Sequence, residues 1–212
     1  MAAERQHAQG GVFALLRRRV VALGMIACGA FFMGQFALFT YVRPFLERVT
    51  HAADSAVPLV LLAIGASGLL GTFAIGAFLK RGLYRTLVSI PAVMALIALA
   101  LVVLGPRLWP TAALLSAWGL LATAAPVGWW SWLARTFCDN AEAGGGLMVA
   151  VVQCSIALGA TVGGLLFDGF GFASTFVASA GLLLFAALLA YVTACDAAST
   201  SGPAVAMGAQ GS

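Results

Sequence analysis

Six long stretches without a charged residue limit the folds that this chain can adopt more than any other feature of its sequence. They are 19 to 25 residues long, and all 11 basic and 7 acidic residues lie outside them. A helix rises ~1.5 Å per residue and the hydrocarbon core of a bilayer is ~30 Å thick, so each stretch can cross it once. The sequence therefore predicts six transmembrane helices, within Val20–Thr40, Ala56–Leu79, Thr86–Leu104, Pro110–Ala134, Leu147–Phe167 and Thr175–Ala194.

The composition favours lipid rather than water as the solvent of this chain. Hydrophobic residues make up 62% of the sequence and charged residues 8%, whereas soluble domains carry about 25% charged residues. Strands of a membrane barrel are ~10 residues long with alternating polarity, unlike these continuous runs. We expect an all-α integral membrane protein with an N-terminal tail (1–19), a six-helix bundle (20–194) and a disordered C-terminal tail (195–212).

The distribution of basic residues predicts the orientation of the bundle. Cytoplasmic loops carry an excess of Lys and Arg, and eight of these residues fall on the side of the N-terminus against three on the other. Six spans then place both termini in the cytoplasm. The two sets are Arg5, Arg17, Arg18, Arg19, Lys80, Arg81, Arg85 and Arg135 on the first side, and Arg43, Arg48 and Arg107 on the second.

Small residues mark the second and fifth spans and suggest close helix packing. Glycines let helix backbones approach in lipid, and the structural candidates are Gly71, Gly76, Gly159, Gly163 and Gly164. The two spans also echo each other, as GLLGTFAIGAFLKRGLYRTL and ALGATVGGLLFDGFGFASTF. Each string ends in a tight Gly-containing loop with a charge, Asp168 in the second case. Two three-helix units of opposite orientation are typical of inverted repeats in transporters.

The spans lack the residue types and motifs that catalysis or cofactor binding would need. Ser67 lies in a GASG motif similar to that of intramembrane serine proteases, but the only histidines, His7 and His51, lie outside the spans. No phosphate-binding loop or metal-ligand spacing occurs, and the basic residues form no stripe. We therefore expect no enzyme, no cofactor, no metal and no nucleic-acid partner.

Two groups of residues are candidates for binding a solute. Three tryptophans flank Pro126, which bends the fourth span, and such a face suits a flat polar molecule; lipid-facing or interfacial tryptophans are the alternative. The other group consists of polar residues in or near the first and fifth spans, for which packing or interfacial snorkelling is the alternative. The candidates are Trp118, Trp129, Trp130, Gln35, Thr40, Tyr41, Arg43 and Gln153.

Four segments resemble the C-terminal half of a major facilitator superfamily carrier. The similarity is to drug/proton antiporter-type efflux permeases, above all the bacterial purine ribonucleoside efflux pumps. It covers about residues 13–194. The segments are GQFALFTYVRPFLE (34–47), PVGWWSWLAR (126–135), DNAEAGGGLMVAVVQ (139–153) and LGATVGGLLFDGFG (158–171).

The resemblance implies one of two six-helix bundles of an inner-membrane carrier, with the substrate held between the bundles. Spans one, two, four and five are then expected to face the cavity or the other half, with Gln35, Trp130 and Gln153 inward, and spans three and six to be peripheral. The expected activity is export of purine nucleosides, or similar polar aromatic solutes, by proton antiport. The implied partners are the lipid bilayer, the solute, protons, and a missing N-terminal half or second six-span subunit. The alternatives are a truncated or split half inactive alone, or a membrane enzyme or scaffold.

Overall fold

The computed structural model describes residues 18–137 and 141–201, and every regular element in these ranges is an α-helix. Six spans are long and apolar enough to cross a membrane, with α1 and α2 counted as one span. The predicted all-α, six-span membrane fold is thus confirmed. The helices are α1 (Arg19–Phe39), α2 (Val42–Arg48), α3 (Ala56–Arg81), α4 (Leu83–Leu104), α5 (Leu108–Thr136), α6 (Ala141–Phe170) and α7 (Phe172–Ser201).

The helices extend beyond the charge-free runs because charged residues at a membrane surface can remain helical. Lys80 and Arg81 form the last turn of α3, where cations interact favourably with the negative end of the helix dipole. The end of α7 differs from the prediction, since the helix continues through 195–201 of the expected disordered tail. This stretch contains no Gly or Pro that would stop a helix. Residues 1–17 and 202–212, the other parts of the two predicted tails, lie outside the described residues.

The first span is interrupted near the end that is predicted to be external. The α1 helix ends at Phe39, and the short helix α2 begins at Val42. Pro44 lies in the first turn of α2, where its missing N–H is tolerated because the first turn of a helix lacks intrahelical acceptors. The short helix α2 also contacts α3.

The contacts between the spans follow a twofold pattern. Exchanging spans one, two and three with spans four, five and six leaves the set of packed pairs unchanged. The pairing of α1 with α6 corresponds to that of α5 with α3, and the pairing of α1 with α7 to that of α5 with α4. The α4 and α7 helices, which end the two units, pack against each other. This symmetry of contacts agrees with the repeat that the sequence predicts.

The two units also turn at glycines that are equivalent in the two echoing strings. Gly82 joins α3 to α4 with φ of 145°, and Gly171 joins α6 to α7 with φ of 81°, backbone conformations that side-chain-bearing residues rarely adopt. A hydroxyl of the second helix reaches back to the first in each turn. Thr86 Oγ1 donates to the Phe78 carbonyl at 3.3 Å, and Ser174 Oγ to the Leu166 carbonyl at 3.0 Å.

Glycines bring the paired helices into backbone contact. A Cβ at Gly71 would collide with the Leu120 carbonyl of α5, and one at Gly159 with the Met33 carbonyl of α1. Gly163 likewise lies against Ala37 of α1. These contacts explain why three predicted structural glycines occupy the faces between α3 and α5 and between α6 and α1.

Two of the other predicted structural residues make no such contact. No described atom lies within 4 Å of a Cβ built at Gly76, and Asp168 is exposed near the end of α6. Gly164 does have a neighbour, because a Cβ there would collide with the Tyr41 hydroxyl. A structural role for Gly76 and Asp168 stays a prediction.

Burial is uneven among the six spans. In the most apolar windows, 61% of residues are buried in the first span, but only 28% in α3 and 17% in α6. In α4 and α7, which the resemblance assigns to the periphery, 44% are buried. The second and fifth spans are therefore the least buried of the six.

Candidate functional site

A small groove between α5 and α6 brings together four of the residues singled out in the sequence. Pro126, Trp129 and Trp130 come from α5, and Gln153 comes from α6. The groove has a volume of about 150 Å³. The remaining lining residues are apolar: Phe32, Met148, Val149 and Val152.

The two adjacent tryptophans have different environments. Trp129 is 2% exposed, and its ring centroid lies 6.4 Å from that of Phe31 and 6.1 Å from that of Trp132. Trp130 is 46% exposed. Consecutive residues of a helix point about 100° apart, so one ring is fixed in the core while the next remains accessible. Trp129 thus forms a rigid wall, and Trp130 offers a ring face for stacking.

The groove has no charged side chain among its lining residues. The lining side chains that carry polar groups are Gln153, which is exposed, and the two tryptophans, Trp129 and Trp130. An amide can donate and accept hydrogen bonds, while aromatic rings stack on flat molecules. The arrangement suits a neutral, flat solute with both donors and acceptors on its edge.

Gln35 and Trp118 lie away from this groove. Gln35 is 7% exposed, and its Oε1 has no hydrogen-bond partner among the described residues. Trp118 is fully buried in the core, and its Nε1 is likewise unpartnered within residues 18–137 and 141–201. Buried polar groups without partners are costly, so both positions hold unused hydrogen-bonding capacity inside the bundle.

The other candidates of the first span make local or interhelical contacts. Tyr41 donates its hydroxyl to the Ala160 carbonyl at 2.8 Å and stacks on Phe167. Thr40 is exposed and donates to the Phe36 carbonyl of its own helix at 2.8 Å. Arg43 is exposed and forms an ion pair with Glu47 at 2.8 Å. Binding of solute by these three residues stays a prediction, and packing accounts for the contacts of Tyr41.

Sequence reasoning missed the apolar side of the groove. Phe32 is three residues before Gln35, and Met148 lies five residues before Gln153, so each is near a residue that had been selected for its polarity. No polar signal distinguishes them from ordinary core residues, and both are buried. Only the packing of α1, α5 and α6 shows that they complete the groove.

Comparison with known proteins shows similarity to a bacterial efflux pump and to a protein named as a regulator. The chain is 40% identical over 186 residues to the purine ribonucleoside efflux pump NepI of Salmonella typhimurium, an alignment that covers 88% of the chain and 47% of the pump. The chain is similar to bacterial efflux pumps. It is also 61% identical over 185 residues to the transcription regulatory protein OpdE of Pseudomonas aeruginosa, covering 86% of the chain and 46% of that protein.

The chain therefore spans about half the length of the curated relatives it matches. No protein-family profile matches it, and no solved structure does. The names of these relatives describe efflux and regulation rather than catalysis, which agrees with the expectation that the chain is not an enzyme. The six apolar spans and this similarity together define a multi-pass membrane protein.

Proposed function

We propose that this chain forms one six-helix bundle of a major facilitator-type carrier that exports purine nucleosides or related polar aromatic solutes. The observation that carries the proposal is 40% identity to a purine ribonucleoside efflux pump, extending across all six spans. The groove at Trp130 and Gln153 supports it, because a purine offers a flat ring and an edge of donors and acceptors.

The exposed faces of α3 and α6 support assembly with a second six-helix bundle. These two helices are the least buried of the six, although they carry the glycine-rich sequences. A partner bundle, supplied by another part of a longer chain or by a second subunit, would cover them. Alternating access requires two bundles that rock around a shared site, so this bundle alone supplies one wall of it.

Transport by the bundle with and without a partner tests the proposal. The chain would be reconstituted in proteoliposomes alone and together with the N-terminal half of the Pseudomonas aeruginosa relative, and uptake of radiolabelled adenosine or guanosine would be measured. We expect uptake only with the partner. An assembled, folded pair that moves neither nucleoside would contradict the proposed substrate class.

The groove residues should govern affinity for the solute in that assay. Trp130→Ala removes a stacking surface, and aromatic stacking on a base contributes about 1–3 kcal/mol, so KM should rise ~5-fold or more. Gln153→Ala should also raise KM. The matched control is Trp109→Ala, which removes an 83% exposed ring at the other end of α5. Unchanged KM in both groove variants would remove the site assignment.

Proton antiport is the proposed source of energy, as the resemblance implies. The charge-free runs contain no carboxylate, so this bundle offers no buried proton carrier within them, and we assign that role to the partner bundle. A protonophore should abolish nucleoside accumulation against its gradient while leaving downhill exchange intact. Accumulation that persists without a proton gradient would exclude this coupling.

A regulatory role is the second candidate, because the chain is 61% identical to a protein named as a transcription regulator. Its described residues are dominated by membrane spans, and export of an inducing solute would alter transcription without contact with DNA. Reporter expression in cells that carry the complete carrier with the Trp130→Ala substitution distinguishes regulation through transport from direct regulation. A regulatory effect that survives loss of transport would favour direct regulation.

A further inference from the structure

Two grooves flank the beginning of α4, at the end of the bundle that is predicted to be cytoplasmic. One lies between α4 and α7, and its volume is about 340 Å³. The other lies between α3, α4 and α5, and its volume is about 200 Å³. Ser89 lines both, so the two grooves meet at this residue. The first is also lined by Tyr84, Arg85, Val88 and Ala194, and the second by Ala74, Phe78, Ile90 and Val93.

The face of α4 between the grooves is open to the surroundings of the bundle. Arg85, Ser89 and Val93 are spaced four residues apart, so they lie on one side of the helix, each ~6 Å further along its axis than the last. All three are exposed, Val93 to 44%. In a chain that spans a membrane, such a face meets lipid, and it runs from the charged end of the helix into the hydrocarbon region.

The charge of Arg85 is not compensated by the protein. Its side chain passes over the turn between α3 and α4, since a Cβ built at Gly82 would lie 3.5 Å from Arg85 Cδ. Arg85 takes part in no ion pair and no side-chain hydrogen bond among residues 18–137 and 141–201. No acidic side chain lines either groove in the same ranges. An anion that reached Arg85 would therefore meet no competing carboxylate there.

The groove between α3, α4 and α5 offers apolar surroundings beyond Ser89. Its lining residues carry only two polar side chains, Thr86 and Ser89. The Thr86 hydroxyl donates to the Phe78 carbonyl and the Ser89 hydroxyl to the Thr86 carbonyl, both at 3.3 Å. A hydrocarbon chain in this groove would therefore leave neither hydroxyl without an acceptor.

We propose that this face of α4 binds one anionic phospholipid, with its phosphate at Arg85 and an acyl chain that passes Ser89 into the groove between α3, α4 and α5. Arg donates to phosphate oxygens in a bidentate geometry. Tyr84 lies beside Arg85 in the groove, and tyrosine is enriched at the level of lipid headgroups. Basic pockets between transmembrane helices on the cytoplasmic side suit anionic headgroups. The site is independent of whether the chain transports nucleosides.

Lipid binding to the full 212-residue chain in detergent tests the headgroup part of the site. Native mass spectrometry would compare phosphatidylglycerol with phosphatidylcholine of the same acyl chains, and we expect a preference for phosphatidylglycerol. Arg85→Gln should lower this preference about fivefold, the contribution of one basic residue near an anionic surface. Arg81→Gln is the matched control and should keep it, since this exposed arginine lies four residues away and lines neither groove.

Filling the groove tests the acyl-chain part of the site. Ala74→Leu should weaken both lipids alike, by about fourfold for each methylene that it displaces, and leave their ratio unchanged. Ser89→Leu, at an exposed position, should act in the same way where the grooves meet, and it reports on the site even if the melting temperature shows that Ala74→Leu fails to fold. The control is Ala77→Leu, which is exposed in α3 and lies outside both grooves.

Three outcomes would overturn the proposal. The first is binding without a preference for phosphatidylglycerol, or no lipid binding at all. The second is an Arg85→Gln variant that behaves like Arg81→Gln. The third is lipid binding in both groove-filling variants that equals that of Ala77→Leu.

Discussion

At the scale of single residues, the role of a glycine in helix packing depends on whether it faces another backbone or open space. Gly159 lies against the Met33 carbonyl, whereas Gly76 has no described neighbour within 4 Å. Both occupy apolar helices, so the sequence shows no difference between them. The contrast makes them a matched pair for experiment.

Gly159→Ala should destabilise the bundle, because the added methyl group forces α6 away from α1 at a cost of about 1–3 kcal/mol. Gly76→Ala adds the same group without a clash and should be neutral or stabilising by up to ~1 kcal/mol, since alanine favours helix. Thermal unfolding in detergent would measure both. Equal destabilisation by the two substitutions would contradict the packing described for Gly159.

Tyr41 is a second residue whose role the structure makes testable. Its hydroxyl donates to the Ala160 carbonyl while its ring stacks on Phe167. Tyr41→Phe should lower stability by about 0.6 kcal/mol, the average for such bonds between membrane helices, because it removes the hydrogen bond and keeps the ring. Nucleoside KM then distinguishes this packing role from the predicted contact with solute. Tyr191→Phe, at a 58% exposed position in α7, is the control, and a raised KM in Tyr41→Phe alone would instead indicate contact with solute.

At the scale of the elements, the turns after α3 and α6 are the clearest sign of a repeat. Gly82 and Gly171 both have positive φ, and a hydroxyl from the following helix reaches back over each turn. Because the two turns are equivalent, substitutions at them should have similar effects. Each turn joins the second span of a three-helix unit to its third.

Gly171→Ala and Gly82→Ala should each cost about 1–3 kcal/mol, since an L-residue with a Cβ is strained at a φ of 81° or 145°. Gly169→Ala is the control, as Gly169 lies two residues away without positive φ and without a described neighbour within 4 Å of its Cβ position. Urea or thermal unfolding in detergent can measure all three. A tolerated alanine at both turns would show that the strain is relieved by a shift of the loops.

The spans could be predicted from the sequence because charge exclusion from a bilayer acts on each helix separately. The groove could be predicted only in part. Trp130 and Gln153 were recognisable by residue type, but Phe32 and Met148 are apolar, and their position depends on how α1, α5 and α6 pack. Trp118 shows the converse, since it is the same residue type in the same span as Trp130, yet its side chain is fully buried. Helical periodicity does not specify which face of an entirely apolar helix is inward.

At the scale of the whole molecule, the orientation in the membrane remains a prediction from the basic residues. A variant with its four cysteines replaced can carry a single new cysteine at Arg107 or at Arg81. A membrane-impermeant maleimide added to intact cells should label Arg107→Cys at once and Arg81→Cys only after permeabilisation. The reverse pattern would invert the topology.

The ion pair between Arg19 and Asp196 has a consequence for how such bundles can be joined. It holds the beginning of the first span beside the end of the last, with 3.0 Å between the two charged groups. The chain therefore enters and leaves the bundle at the same surface. A neighbouring bundle can be tethered through either end by a short connector, and a circularly permuted chain opened at the 105–107 loop should retain the same packing.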